Sequence, residues 1–96
     1  MGERENRSHD LRAARAEANR LLWLATDQRM YEQLEVALRE LDDASAWLAN
    51  PDADGNQSIL ELITDAIRLA RLRMAIIDRA LVTRDIDRLF PAGPER

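Results

Sequence analysis

The distribution of glycine and proline is the feature that most constrains this chain. Neither residue occurs in 3–50, and neither occurs in 56–90. The short segment between these stretches contains Pro51 and Gly55, and it is the only strong break in the sequence. β-Branched and aromatic residues are sparse, and strict alternation of apolar and polar residues is absent. The sequence therefore predicts an all-α chain with an interhelical turn at 49–57.

Length and composition limit the domain organisation. The chain has 96 residues and no cysteine. We expect a single helical domain over 1–96, with flexible ends at 1–7 and 91–96. Without cysteine there is no disulfide, thiolate metal site or cysteine nucleophile. No apolar run approaches the roughly 18–20 residues of a membrane span, and no signal-peptide pattern is present. We therefore expect a cytoplasmic protein.

The charged residues of the chain limit the classes of partner that it is expected to bind. The 14 basic residues are all arginine, and 18 acidic residues give a formal net charge of −4. This balance argues against nucleic-acid binding, because phosphate neutralisation needs clustered basic side chains. Arginine without lysine, beside abundant alanine, is typical of a GC-rich genome, so we expect a bacterial origin.

The first stretch carries two apolar stripes that differ in phase. One stripe consists of Trp23, Met30, Leu34, Ala37, Leu41, Ala44 and Leu48. The other consists of Leu11, Ala14, Ala18, Leu22 and Ala25. Either the helix breaks near Thr26–Asp27, or one long helix turns a second face to another partner. Because no residue there is a strong helix breaker, we favour one long helix.

The second stretch is apolar around more than half of its helical circumference. Its main stripe consists of Ile59, Ile63, Ala66, Ala70, Met74, Ile77 and Leu81. A second set lies off that stripe and consists of Leu62, Leu69, Leu72 and Ile76. One partner helix cannot bury both sets. After Thr83 the chain either continues the same helix or starts a short third one.

Helix length leads to an expectation about oligomeric state. A helix of roughly 40 residues is about 60 Å long, whereas a compact domain of this size has a radius of gyration of about 12–13 Å. We predict a long antiparallel helical hairpin that dimerises into a four-helix bundle. The predicted interface residues are Leu62, Leu69, Leu72 and Ile76, because leaving each exposed would forgo about 1.5–3 kcal/mol of burial.

Charge distribution favours antiparallel packing of the two halves. Acidic residues dominate the end of the first stretch, and arginines dominate the second. Folding the chain at its central turn places Arg68 near Glu40 and Arg73 near Glu35. We expect these pairs to set the alignment of the helices, since exposed ion pairs are worth only about 0–1 kcal/mol.

The central turn resembles an EF-hand calcium loop over residues 50–61. Oxygen-bearing side chains stand at the first, third, fifth, ninth and twelfth places, and Gly55 stands at the sixth, where a sharp turn is needed. The resemblance implies a calcium site with ligands from Asn50, Asp52, Asp54, Ser58 and Glu61. The loop departs from the family at its first place, which usually holds aspartate, and no second loop is present.

The same residues also fit a plain turn. Asn-Pro-Asp-x-Asp-Gly is a strong turn sequence. Ser58 and Glu61 have the spacing of a capping box at the start of the second helix. We favour this interpretation, in which no cofactor is bound, and keep calcium binding as the alternative.

Candidates for catalysis are few. His9 is the only histidine and has no clustered ligands, so no Ser/His/Asp arrangement can be assembled without it. Four arginines of the second stretch are able to hold an anionic ligand, which keeps an Arg-lined ligand-binding or catalytic bundle as a further alternative: Arg68, Arg71, Arg79 and Arg88. We do not expect an enzyme.

Surplus apolar helical surface beside few catalytic groups predicts a non-enzymatic protein–protein interaction module that acts as a homodimer. Such a module would contact itself and another protein. It would serve as a small adaptor, regulator or inhibitor, or as an accessory protein of a phage or a toxin–antitoxin system. We expect it not to bind membranes. Nucleic-acid binding is disfavoured and is left open only through the arginine-rich second stretch.

Overall fold

Helices form the framework of the part of the chain that the structure describes. The computed structural model describes residues 3–53, 55–84 and 86–89, and within them the chain is all-helical with no strand. Its elements are α1 (Glu3–Leu24), α2 (Gln28–Leu48), α3 (Gln57–Thr83) and the short α4 (Ile86–Leu89). The predicted all-α class is confirmed. α1 begins inside the segment 1–7 that we expected to be flexible, and the tail 91–96 lies outside the described residues.

The first stretch is broken between α1 and α2, so the prediction of one long helix is wrong. Asp27 has extended backbone angles (φ −136°, ψ 143°) and caps α2. Its Oδ1 accepts a hydrogen bond from the backbone N–H of Arg29 at 2.8 Å. Aspartate favours such a position because its side chain replaces a missing backbone acceptor. The Tyr31 hydroxyl donates to the Ala25 carbonyl at 2.9 Å and braces the connection.

The break changes the environment of Trp23. The side chain of Trp23 is 90% exposed, whereas Leu21 and Ala25 are buried. Its assignment to the core stripe is therefore wrong. The reason is that Trp23 belongs to α1, whose buried phase runs through Leu11, Ala14, Ala18 and Leu21, and not to the continuation of α2.

α1 folds back along α3 and runs parallel to it. Arg7 donates from Nε to Oγ1 of Thr64 at 3.2 Å. Arg20 lies further along α1, and its Nη2 donates to Oδ1 of Asp78 at 3.1 Å, further along α3. The second contact therefore lies nearer the C-terminus than the first in both helices, as expected for a parallel pair. α1 also packs on α2, where Arg15 forms a 2.7 Å ion pair with an α2 carboxylate.

The ion pairs between α2 and α3 differ from the predicted ones. Arg73 pairs with Glu40 at 2.9 Å, and Arg68 pairs within its own helix with Asp65 at 3.2 Å. The predicted Arg68–Glu40 and Arg73–Glu35 pairs are wrong. α3 begins beyond the assumed fold point, and this shifts the facing positions of the two helices by about one turn.

The three long helices enclose one apolar core. None of the polar or charged residues in the described part of the chain is buried. The largest fully buried side chains come from all three helices: Leu21, Met30, Leu34, Leu41, Ile63 and Ile77. Between them lie small residues that let the helices approach closely, such as Ala14, Ala18, Ala37 and Ala70. The buried positions of α2 follow the predicted stripe from Met30 to Ala44.

α3 ends in a left-handed residue that redirects the chain. Arg84 has φ 59° and ψ 28°, and its backbone N–H donates to the Ala80 carbonyl at 2.7 Å. α4 then packs against α3, with Leu89 against the core. The chain therefore starts a short new helix here, which was one of the two alternatives from the sequence.

The described residues form an elongated bundle. The radius of gyration is 15.1 Å, and the principal extents are 48 × 27 × 15 Å. A compact domain of this length would have a radius of about 12–13 Å. A large share of each helix surface therefore remains accessible.

We predict that Asp27 makes stability depend on pH in the acid range. Hydrogen bonds from the Arg29 guanidinium and backbone N–H lower the pKa of Asp27 from 3.8 to about 2. Because the folded pKa lies below the unfolded one, its ionised form stabilises the fold above about pH 4, and this contribution is lost as the pH falls towards 2. Asp27→Asn keeps an amide that can cap but removes the charge.

Thermal unfolding of Asp27→Asn and wild type across this pH range checks the prediction. The difference in Tm should be constant above about pH 5 and should shrink between about pH 4 and 2. Asp43→Asn, at an exposed carboxylate of α2, is the matched control and should show a smaller difference. An Asp27→Asn difference that does not change with pH would contradict the prediction.

Candidate self-association face and interhelical turn

α3 has a buried side that supplies much of the core. Eight of its residues are buried, namely Ile59, Leu60, Ile63, Ile67, Ala70, Met74, Ile77 and Ala80. This set is wider than one stripe because α3 contacts both α1 and α2. The predicted stripe residues Ala66 and Leu81 are only partly buried.

A second side of α3 remains open to solvent, and it carries the four predicted interface residues. Leu62, Leu69, Leu72 and Ile76 are 47%, 44%, 53% and 43% exposed. We call these four residues the apolar face of α3. Neither α1 nor α2 covers them, although both pack on α3. Large apolar side chains collected on one helix face are typical of a contact surface.

A polar network borders the apolar face on the side of α2. The Arg73 guanidinium donates to both carboxylate oxygens of Glu40, at 2.9 and 3.1 Å, and to Oε1 of Gln33 at 3.1 Å. The side chains of Arg73 and Glu40 are only 35% and 18% exposed. Sequence reasoning missed this arrangement, because it depends on the exact alignment of α2 with α3.

Another exposed apolar group lies at one end of the bundle. Trp23 is 90% exposed, Leu24 is 47% exposed and Val82 is 77% exposed. Because α1 and α3 run parallel, the C-terminal ends of both helices lie at this end. A depression of about 380 Å³ lined by Thr26, Met30, Ala80, Leu81 and Arg84 lies nearby.

The turn between α2 and α3 is built by its own polar groups. Oδ1 of Asn50 accepts from the backbone N–H of Asp52 at 2.8 Å, and the Ala53 N–H donates to the Asn50 carbonyl at 3.0 Å. Ala53 is fully buried and anchors the turn to the core. Gly55 has φ 80°, a left-handed conformation that glycine adopts without steric cost.

The predicted calcium ligands are only partly described. Asp54 lies outside the described residues. Asn50 is engaged with the backbone of the turn, and Glu61 accepts from Nε2 of Gln57 at 3.4 Å. Within the described residues, no group of three or more His, Asp or Glu side chains is close enough to hold a metal ion. Calcium binding stays a prediction from the loop sequence.

The start of α3 corrects the predicted capping box. α3 begins at Gln57, and Oδ1 of Asn56 accepts from the backbone N–H of Ile59 at 3.2 Å. Ser58 therefore lies inside the first turn and is not the capping residue. The capping box was wrong because Asn56, an equally good capping residue, comes two positions earlier.

The predicted arginine cluster does not converge on one site. Arg68, Arg71 and Arg79 are all exposed. Arg68 and Arg71 line a depression of about 470 Å³ with Leu72. Arg79 lines a different one of about 300 Å³, together with Arg88.

Charged groups along the border of α1 and α3 pair with one another. The Arg20 guanidinium donates to Glu17 at 2.6 Å. This hydrogen bond lowers the pKa of the Glu17 carboxyl, and contacts with Glu17 and Asp78 raise the pKa of Arg20. These shifts follow from an ion pair within α1, between Glu17 and Arg20, and from the contact of Arg20 with Asp78 of α3. His9 is exposed at the other end of α1.

Comparison with known protein families, curated proteins and solved structures gives no match to this chain. Among the helices that the structure describes, none combines the length and the apolar character needed to cross a bilayer.

We predict that Asn56, and not Ser58, stabilises the start of α3. Asn56→Ala removes the acceptor for the Ile59 N–H and should lower the free energy of unfolding by about 1 kcal/mol. Ser58→Ala is the matched control and should change it by less than about 0.5 kcal/mol. Chemical denaturation of both variants measures the two values. An equal loss of unfolding free energy in both variants, or a larger loss in Ser58→Ala, would contradict this prediction and favour Ser58 as the capping residue.

Proposed function

We propose that this chain is a non-enzymatic protein–protein interaction module that associates with a second copy of itself through the apolar face of α3. The observation that supports the proposal is the exposure of four large aliphatic side chains on one helix face after the chain has packed its own core. Such residues are depleted from surfaces that face only water.

The size of the apolar face sets the expected strength of association. Each side chain is about half exposed, so covering it gains on the order of 1 kcal/mol. Two copies together contribute eight such side chains, a gross gain of about 8 kcal/mol. Association itself costs about 4–15 kcal/mol. At the lower end of that cost, the apolar face alone gives a dimer of modest affinity.

The proposed dimer differs in one respect from a pair of simple hairpins. Each chain contributes three long helices, because α1 folds back over the hairpin of α2 and α3. The four helices at the centre of the dimer would be α2 and α3 of both copies, with α1 on the outside. The four-helix arrangement is thus retained as the core of a larger bundle.

The chemistry of the described side chains agrees with a role in binding. The four arginines that were candidates for one ligand site divide between two depressions, with Arg68 and Arg71 lining one and Arg79 and Arg88 lining the other. The histidine at position 9 is exposed. The dimer would act as a small adaptor, regulator or inhibitor by contacting a further protein.

We predict that polar substitution on the apolar face dissociates the protein. Leu69→Gln/Leu72→Gln removes two of the four aliphatic side chains and should raise the dimer Kd by tenfold or more, about 1.4 kcal/mol. Sedimentation velocity from low micromolar to near-millimolar concentration measures the Kd. Val82→Gln, at an exposed aliphatic residue of α3 outside the apolar face, is the matched control and should associate like wild type.

Two results would contradict the proposal. One is a wild-type chain that stays monomeric over the whole concentration range while remaining helical by circular dichroism. The other is equal association of wild type and the double variant. Because both substituted leucines are exposed, we expect the double variant to stay folded, and its circular dichroism spectrum checks this.

A further inference from the structure

The apolar face of α3 belongs to a longer row of exposed positions. Starting at Ser58, exposed residues recur at alternating steps of four and three: Ser58, Leu62, Asp65, Leu69, Leu72, Ile76, Arg79 and Thr83. We call these eight residues the heptad row. This spacing is that of the a and d positions of a coiled coil. α3 is one uninterrupted helix over the whole row.

The heptad row is long and straight enough to pair with another helix. From Ser58 to Thr83 it covers about 38 Å at 1.5 Å per residue. Its interior holds the four aliphatic side chains, and its two ends are small hydroxyl residues. The border with α2 is closed by the Arg73–Glu40 pair. A helix that occupied this row would therefore lie beside α2. At the C-terminal end of the row, Ile76, Arg79 and Thr83 line a depression together with residues of α4, so the second helix would also contact α4 there.

The two charged members of the row distinguish the orientations that a second copy can take. Asp65 lies in the N-terminal half of the row and Arg79 in the C-terminal half. In a parallel pair each residue meets its own counterpart, so the interface would hold two aspartates together and two arginines together. Like charges at such positions destabilise an interface by up to several kcal/mol.

An antiparallel pair removes both repulsions. When Leu69 lies opposite the partner's Leu72, Ser58 lies opposite the partner's Thr83. Asp65 then comes within one helical turn of the partner's Arg79, where the carboxylate and guanidinium attract each other. The ion pair that Asp65 makes within its own chain, to Arg68, is 60–63% exposed and weak, so it does not prevent this contact.

We propose that two copies of this chain pair antiparallel along the heptad row of α3, with Asp65 and Arg79 fixing the direction. This inference rests on the proposed self-association and adds to it the surface, the register and the orientation. The partner is a second copy, because Asp65 in one half of the row and Arg79 in the other attract each other across the interface when the second copy is reversed.

Cysteine crosslinking tests the orientation directly, because the chain contains no cysteine of its own. Ser58→Cys and Thr83→Cys place one thiol at either end of the heptad row without removing an aliphatic side chain. Each variant is treated with a short bismaleimide, alone and as a mixture after subunit exchange. Leu72→Cys, near the centre of the row, should crosslink with itself in either orientation and is the positive control.

In the antiparallel dimer neither end variant should crosslink alone, and their mixture should give a crosslinked dimer. Crosslinking of each end variant with itself would show a parallel pair and overturn the inference. If sedimentation shows a dimer but no sample crosslinks, including Leu72→Cys, association uses another surface, which overturns this inference. If sedimentation shows only monomer, both this inference and the proposed function fail.

Charge reversal provides an independent test. Asp65→Arg should raise the dimer Kd by about tenfold, because the new arginine approaches the partner's Arg79. Asp65→Arg/Arg79→Asp should return the Kd to within about threefold of wild type. In a parallel pair the single reversal would exchange one like-charged pair for another and leave the Kd unchanged. An unchanged Kd, or failure of the double variant to recover, would overturn the inference.

Discussion

The coverage of α3 within one chain depends on the break between α1 and α2, where the Asp27 carboxylate caps α2. As one helix, residues 3–48 would extend about 70 Å, and the first half would project away from α3. Instead α1 ends at Leu24 and the cap at Asp27 begins α2, so that α1 lies beside α3 with contacts from Arg7 to Arg20. That return accounts for the broad buried side of α3. It also leaves one face uncovered, because α1 and α2 together surround only part of a helix.

The spacing of apolar residues was sufficient to predict which face of an individual helix is buried. The buried positions of α2, from Met30 to Ala44, follow a three-and-four spacing that no neighbouring segment disturbs. The separation of α3 into a core stripe and an apolar face also followed from spacing. In both cases each face carries several apolar residues, and a small shift of the neighbouring helices does not move them to another face. The correct face could therefore be recognised before the partner helix was known.

The wrong predictions all depend on where a helix begins or ends. Trp23 was assigned to the stripe of α2, and its exposure follows from the helix end at Leu24. The capping box failed because Asn56 competes for the same backbone donors as Ser58. The facing partner of Arg73 was misplaced by about one turn for the same reason. Capping preferences differ by only a few tenths of a kcal/mol among Asp, Asn and Ser, so the sequence alone does not choose among neighbouring positions.

An exposed helix face that pairs with the same face of a second copy limits the size of the assembly. Contacts between different patches leave one free patch on each copy and can continue into a filament. A two-fold pair uses the same patch twice, so association ends at the dimer. Charged residues within such a row cost stability relative to leucine, as polar core positions of coiled coils do, and in return they select one orientation. Asp65 and Arg79 would act in this way, because a reversed partner brings them together and a parallel one does not.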